Sequence, residues 1–344
     1  MKFSKDKKEI IISYLLEKIA EGRDDAPKLV SKEFEINLNT VHTYLNELID
    51  QGRIIREKRG VYKLNENRVS FTFTRSGGDL EDDGYIFEYI VEPQIAGLSD
   101  TIRQIWYYAV SEMINNVIDH SEAENVHVTV VQDIRSTTVI IQDDGIGIFR
   151  KLQEYYGFRT FSDIAAELAK GKLTTDEIHH SGEGIFFTSR LMDYFAAVSC
   201  GSIFTHNKYS EISQEISVFG SGRIRKNKRG TLIYMSLSNY SNKNALDIFN
   251  SYASIEGGFT KTSIPLKNIY DMPPVARSQA KRLVRRLGDF EEVILDFEGM
   301  EAIGQGFAHE LFVVFQNEHK NTRLIPINSN EVITKMIAHV LNTR

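Results

Sequence analysis

The chain is poor in cysteine, tryptophan and proline, with one, one and six of them in 344 residues. A lone Cys200 cannot close an internal disulfide, which removes the stapled secreted scaffolds and fits a reducing compartment. In the apolar run AAVSC it reads as a core residue. No apolar stretch approaches the roughly 18 residues that a membrane helix needs, and the N-terminus MKFSKDKKEI lacks the apolar core of a signal peptide. A soluble, cytoplasmic protein with no membrane partner is expected. A large charge excess is also missing. The net charge of -6 argues against a protein that coats nucleic acid along its whole surface. Local patches remain open, because residues 1–64 hold 13 Lys/Arg against 11 Asp/Glu, locally +2. What is present is a globular composition, 42% hydrophobic and 26% charged, which excludes disordered and collagenous chains. Single cores stop growing near about 250–300 residues, so this length suits two or three domains.

Residues 7–22 carry apolar positions at helical spacing and stop at a glycine. A short helix around APKLVSKEF, a turn at INLN and a third helix TVHTYLNELIDQG follow, with Val41, Leu45 and Leu48 on one face. RIIREKRGVYKL then alternates and turns at Lys58-Arg59-Gly60, as a small hairpin does. Three helices and a hairpin over residues 1–65 resemble a winged helix-turn-helix domain. That resemblance implies a DNA partner, with Asn39, Thr40, His42 and Thr43 at base edges and Arg53, Arg56, Lys58 and Arg59 near phosphates. The third helix has no Lys or Arg and carries Glu47 and Asp50, so a bidentate arginine contact to a base is not available from it. The alternative use of such a domain is protein contact or dimerisation, and a homodimer is one arrangement the sequence allows.

Further on, RVSFTFT and GYIFEYIVEP read as strands around the acidic turn GGDLEDDG, and Ser99-Asp100 opens a long helix. In that helix SEMINNVIDH sets Glu112, Asn116 and His120 four residues apart, on one slowly drifting stripe. Met113, Ile114, Val117 and Ile118 are left to pack inward, and Trp106 is a packing residue. Two strands follow, and the second runs into Asp143-Asp144-Gly145-Ile146-Gly147, a tight turn where backbone can approach a flat ligand. Ser181-Gly182-Glu183-Gly184 opens the helix IFFTSRLMDYF, and free amides at such a start suit phosphates. Arg229-Gly230-Thr231 leads into the strand LIYMSL.

Taken in order, E-x-x-x-N-x-x-x-H, D-x-G-x-G, S-G-x-G and G-T resemble the GHKL (histidine-kinase-like) ATP-binding fold over residues 66–245, a mixed sheet covered by helices. SEMINNVIDH and SGEGIFFTSRLMD look most like anti-sigma-factor serine kinases. The resemblance implies ATP and Mg²⁺ as cofactors. It makes Asn116 a magnesium ligand, Glu112 the base that orients or activates a nucleophile, and His120 a neighbour of the phosphates. Asp143 would accept the adenine amino proton, Gly145 and Gly147 would let the ring approach, and Thr231 would support the carboxylate. Ser181, Gly182 and Gly184 would close on phosphates. The stretch FRKLQEYYGFRTFSDIAAELAKGKLTTDEIHH falls where this fold keeps its lid. His179 and His180 at its end have no ligand cluster beside them, so a metal site is not expected there.

From residue 255 strands and helices alternate, as in a small α/β domain. VILDFEGMEAIGQGFAHELF resembles STAS-like domains, which implies a protein partner. Where the phosphorylatable serine of the related antagonists stands, this chain has Gly304-Gln305-Gly306, none of which accepts a phosphoryl group. Arg282, Arg285 and Arg286 read as a solvated helix face. The motifs together imply an ATP-binding regulator in transcriptional or signalling control, with a GHKL ATPase or a serine/threonine kinase acting on a separate partner as the enzymatic alternatives.

Overall fold

The computed structural model describes residues 5–173, 182–207, 229–253, 258–270 and 272–342. Contacts divide the chain into two compact units, residues 1–69 with 130–137 and residues 70–129 with 138–344.

The first unit contains helices α1 (Lys5–Ala20), α2 (Ala26–Glu33) and α3 (Leu38–Asp50), then strands β1 (Ile54–Lys58) and β2 (Val61–Leu64), paired antiparallel. Pro27 stands at the start of α2, where its missing N–H costs nothing. Asn37 caps α3 by accepting the Asn39 amide at 2.8 Å. Ile11, Leu15, Val41, Leu45, Leu48 and Ile54 close a core of their own.

A six-stranded sheet runs in the order β3-β4-β5-β8-β6-β7. Its strands are β3 (Asn67–Thr74), β4 (Asn125–Gln132), β5 (Ser136–Asp143), β6 (Tyr194–Ser199), β7 (Ser202–Thr205) and β8 (Thr231–Ser238). The run GYIFEYIVEP, expected as a strand, is helical instead. Asp83–Ile86, Phe87–Val91 and Glu92–Ile95 join into one segment, α4, started by Asp82 accepting the Gly84 amide at 2.9 Å. Its buried residues Ile86, Phe87, Ile90 and Val91 follow a helical spacing, while Tyr85 and Tyr89, four apart, stay exposed. Every other residue of the run is apolar, which imitates a strand without being one.

Helix α5 (Asp100–His120) starts at Ser99, whose hydroxyl accepts the Ile102 amide. Trp106, Met113 and Ile114 are buried as the spacing requires. Between β5 and β6 lie α6 (Ile148–Tyr156), α7 (Phe161–Lys170) and α8 (Gly184–Leu191). Helix α8 stops at Leu191, so the end of the run IFFTSRLMDYF belongs to β6. Cys200, expected in the core, sits half-buried in the tight β6–β7 connection with φ 51°.

After α9 (Ala245–Tyr252), a second sheet runs β11-β10-β9, all parallel, from β9 (Lys261–Pro265), β10 (Glu292–Asp296) and β11 (Arg323–Ile327). Parallel neighbours need crossovers. These are α10 (Leu266–Ile269), α11 (Arg277–Leu283) and the helical segment α12, formed by Gln305–His309, Glu310–Phe315 and Gln316–Glu318. Helix α13 (Glu331–Asn342) closes the chain's described part. The core here is continuous with α8, because Phe186 and Phe187 share one cluster with Phe259, Phe290, Leu295 and Phe307. No helix among the described residues is long and apolar enough to cross a membrane.

Candidate functional site

Asp143 ends β5 and is 6% exposed. One carboxylate oxygen accepts the Gly145 amide at 2.9 Å and the other the Thr231 amide at 3.1 Å. Burial pushes this carboxyl up to about 6, against the pull of those two backbone donors. The adjacent Asp144 behaves oppositely. Burial raises it, but hydrogen bonds from Asn125 and Glu124 outweigh that and hold it below the usual carboxylate range. Asp144 is thus a loop staple, bound to the amides of Glu124 and Asn125 at 3.0 Å each. Asp143 is the acid left facing a cavity.

That cavity has a volume of about 230 Å³. Glu112, Asn116 and His120 of α5 line it, as their four-residue spacing requires, and so do Asp143 and Thr231. Gly147, Gly182 and Gly184 complete the set, while Gly145 contributes through its amide to Asp143. Ser181 lies outside the described residues, as do His179 and His180. Thr231 takes a further part, since its hydroxyl accepts the Ile148 amide at 3.0 Å and so ties the first turn of α6 to β8.

Two glycines are required by geometry. Gly147 holds φ 87°, and a Cβ there would stand 2.4 Å from the Ser199 hydroxyl oxygen. At Gly184 a Cβ would stand 2.1 Å from Oε2 of Glu112. The bare first residue of α8 is therefore what lets the Glu112 carboxylate reach the start of that helix. Burial first, then the charges of Glu112 and Glu183, hold the Tyr108 phenol above its ordinary value. Asn116 donates its side-chain N–H to the Glu112 carbonyl at 2.8 Å, which leaves its amide oxygen to meet a ligand.

The sequence reading missed Lys151. It lies one turn into α6, lines the cavity, and donates to the His120 carbonyl at 2.8 Å. Its spacing of four from Gly147 was the available signal. The apolar wall was missed too: Leu152 of α6, Leu168 of α7, and Leu173 beyond it.

In the first unit Asn39, Thr43, Arg53, Arg56, Lys58 and Arg59 are exposed, and Thr40 and His42 are half-buried. The Arg56 guanidinium donates to the Tyr62 hydroxyl at 3.2 Å and lies 5.4 Å from that ring's centre.

Comparison with known proteins adds two findings. Residues 279–334 match the family described as "STAS-like domain of unknown function (DUF4325)". The chain is also similar to "Sensor histidine kinase YvfT" of Bacillus subtilis (strain 168), 23% identical over 135 residues, which is 39% of this chain and 33% of that protein. The chain thus spans about a third of the length of that relative. A STAS-like region and a weak likeness to a sensor kinase together point to a signalling role.

Proposed function

We propose that the cleft binds Mg-ATP in the manner of a GHKL domain, and that the protein is a nucleotide-dependent regulator in the cytoplasm. The observation that carries this reading is Asp143, a buried carboxylate whose oxygens are fixed by two backbone amides inside a cavity that also holds Glu112 and Asn116. An acceptor so placed suits an exocyclic amino group of a purine. Glu112 is the group to orient or deprotonate a nucleophile, and Asn116 offers one amide oxygen to a hard cation. Among the described residues no three His, Cys, Asp or Glu side chains cluster as a metal cage. That donor set fits Mg²⁺, which keeps waters and phosphate oxygens rather than a full protein shell. When bound, the ion would neutralise phosphate charge. Titration calorimetry with Mg-ATP tests the reading, and silence at millimolar nucleotide would overturn it.

Among the described residues that line the cleft, Lys151 is the one lysine or arginine. Replacing it with Ala is expected to weaken Mg-ATP binding by about 10-fold, the worth of one charge-assisted contact, with a smaller loss for adenosine. Equal losses for both ligands would remove Lys151 from the phosphate side.

A second reading, a serine/threonine kinase acting on a separate protein, is favoured by one feature of the STAS-like region. Gly304-Gln305-Gly306 holds no hydroxyl, and the Gly304 amide donates to the Pro274 carbonyl at 2.9 Å. Transfer to that position is excluded, and this reading takes a separate chain as the acceptor. Incubation with labelled ATP separates the readings: free phosphate marks an ATPase, labelled protein a kinase, neither a sensor.

The first unit supports a winged-helix reading with DNA as partner, through exposed wing cations Arg53, Arg56, Lys58 and Arg59. Retardation of random duplex should fade with salt, and Arg53→Ala with Lys58→Ala should lower the log-log salt slope by about 2. No retardation at low salt would leave protein contact, including pairing of two copies, as the use of this surface.

A further inference from the structure

Helix α7 works on two sides. Leu168, with Leu173 just beyond the helix, lines the cleft. Glu167 and Lys170, 3% and 1% exposed, are paired with one another and committed to the C-terminal layer. The Lys170 ammonium donates to the Arg285 carbonyl at 2.8 Å, and the Thr262 hydroxyl donates to the Lys170 carbonyl at 2.6 Å. Arg190 of α8 bridges the same joint, donating to the carbonyls of Ala169 at 3.3 Å and Ser263 at 3.1 Å.

Arg282 of α11 and Arg285 just after it are exposed, as expected, yet both reach this segment, and Arg286 is half-buried against it. Arg282 stands 3.9 Å from the Asp163 carboxylate. Arg285 and Arg286 lie 5.9 Å and 5.6 Å from the rings of Phe158 and Tyr156. Arg286 also donates to the Lys172 carbonyl. It does so from φ 60°, a left-handed conformation that a non-glycine residue keeps only where its surroundings over-determine it. Lys172 in turn donates to the Asp289 carbonyl at 3.1 Å and lies 4.6 Å from the Phe290 ring centre. At the far end of this wall, a Cβ on Gly182 would stand 2.6 Å from the Leu173 amide nitrogen.

The Glu167–Lys170 pair lies within one helix and moves with it, so the register against the C-terminal layer is fixed by the buried Lys170 donor, which a slip would leave without the Arg285 carbonyl. Apolar packing alone would tolerate sliding. We propose that the STAS-like layer sets the position of this cleft wall, with Arg282, Arg286 and Lys170 as positioning residues, and so tunes nucleotide affinity. Whatever binds that layer and shifts α11 changes affinity for nucleotide, and nucleotide reciprocally changes affinity at that layer. The inference rests on the nucleotide reading of the cleft.

In the full-length protein Arg286→Ala is expected to weaken Mg-ATP binding by about 5- to 20-fold, in the usual range of coupling between sites. Arg286→Lys should recover part, since an ammonium can still donate to the Lys172 carbonyl but cannot stack flat on Tyr156. Lys281→Ala, on α11 with its side chain 69% exposed, should stay within about twofold of wild type. On the wild-type protein, Mg-ATP should slow hydrogen exchange at residues 283–290 as well as 161–173. Wild-type affinity in Arg286→Ala, or protection confined to the glycine motifs, overturns the inference; if Arg286→Ala does not fold, the exchange result decides. A wild type that binds no nucleotide is a separate outcome, seen before any variant is made, and it brings down the cleft reading and this inference together.

Discussion

Asp143→Ala is expected to weaken Mg-ATP binding by about 100-fold or more. The loss is that of the base contact together with the order of the turn, because the buried amides of Gly145 and Thr231 that Asp143 holds in place are left without acceptors. Each unmet buried donor costs about 1–3 kcal/mol, and 100-fold corresponds to about 2.7 kcal/mol. The same residue gives the site a pH dependence. Its carboxyl stands at about 6 in the fold against 3.8 as the ordinary value, so the folded state holds this proton more tightly than the unfolded chain. The linked stability is fully present below 3.8 and is lost as pH rises through 6. Nucleotide binding runs the other way. A protonated carboxyl with both oxygens already engaged is a poor acceptor for an amino group, so affinity should fall as pH drops below about 6 and level off above about 7. The nucleotide's phosphates titrate as well, and the difference between wild-type and Asp143→Ala profiles isolates the carboxyl. A flat difference between pH 5 and 8 would remove Asp143 from the base-binding role.

The parts of this site that could be read from sequence are those carried by local periodicity. Glu112, Asn116 and His120 share a face because the helix repeat puts them there, whatever surrounds the helix. Asp143 at the end of a strand, followed by glycines, was equally legible as a turn built for close approach. Its pairing with Thr231, across 88 positions of chain, was reached only through the order of motifs. Lys151 had its spacing of four from Gly147 as a local signal, but its place over the end of α5 comes from a tertiary contact, with the His120 carbonyl. Of the arginines at 282, 285 and 286, the first two are exposed as a solvated face requires, and only the half-buried Arg286 departs from that reading, because Tyr156 arrives beside it. In α4 the error was of period. The apolar residues of GYIFEYIVEP fit a repeat of two nearly as well as one of 3.6, and the Asp82 cap decides for the helix.

Glu112→Gln carries the other large expected effect. The carboxamide has nearly the same shape and keeps its seat against Gly184, but it cannot take a proton. Turnover of labelled ATP, whether read as free phosphate or as label on protein, should fall by about 10²- to 10⁴-fold. Mg-ATP affinity should stay within about threefold, because a group acting in the transition state alone lowers kcat and leaves binding intact. Gly184→Ala reaches the same end by another path. Its methyl would fall 2.1 Å from Oε2, so the carboxylate must leave its place. Turnover should drop while Asp143 continues to hold the base. Loss of affinity equal to the loss of rate in Glu112→Gln would make Glu112 a binding group instead. A wild type that releases no phosphate and labels no protein removes the base role altogether, and leaves a cleft that senses nucleotide through the position of its α7 wall.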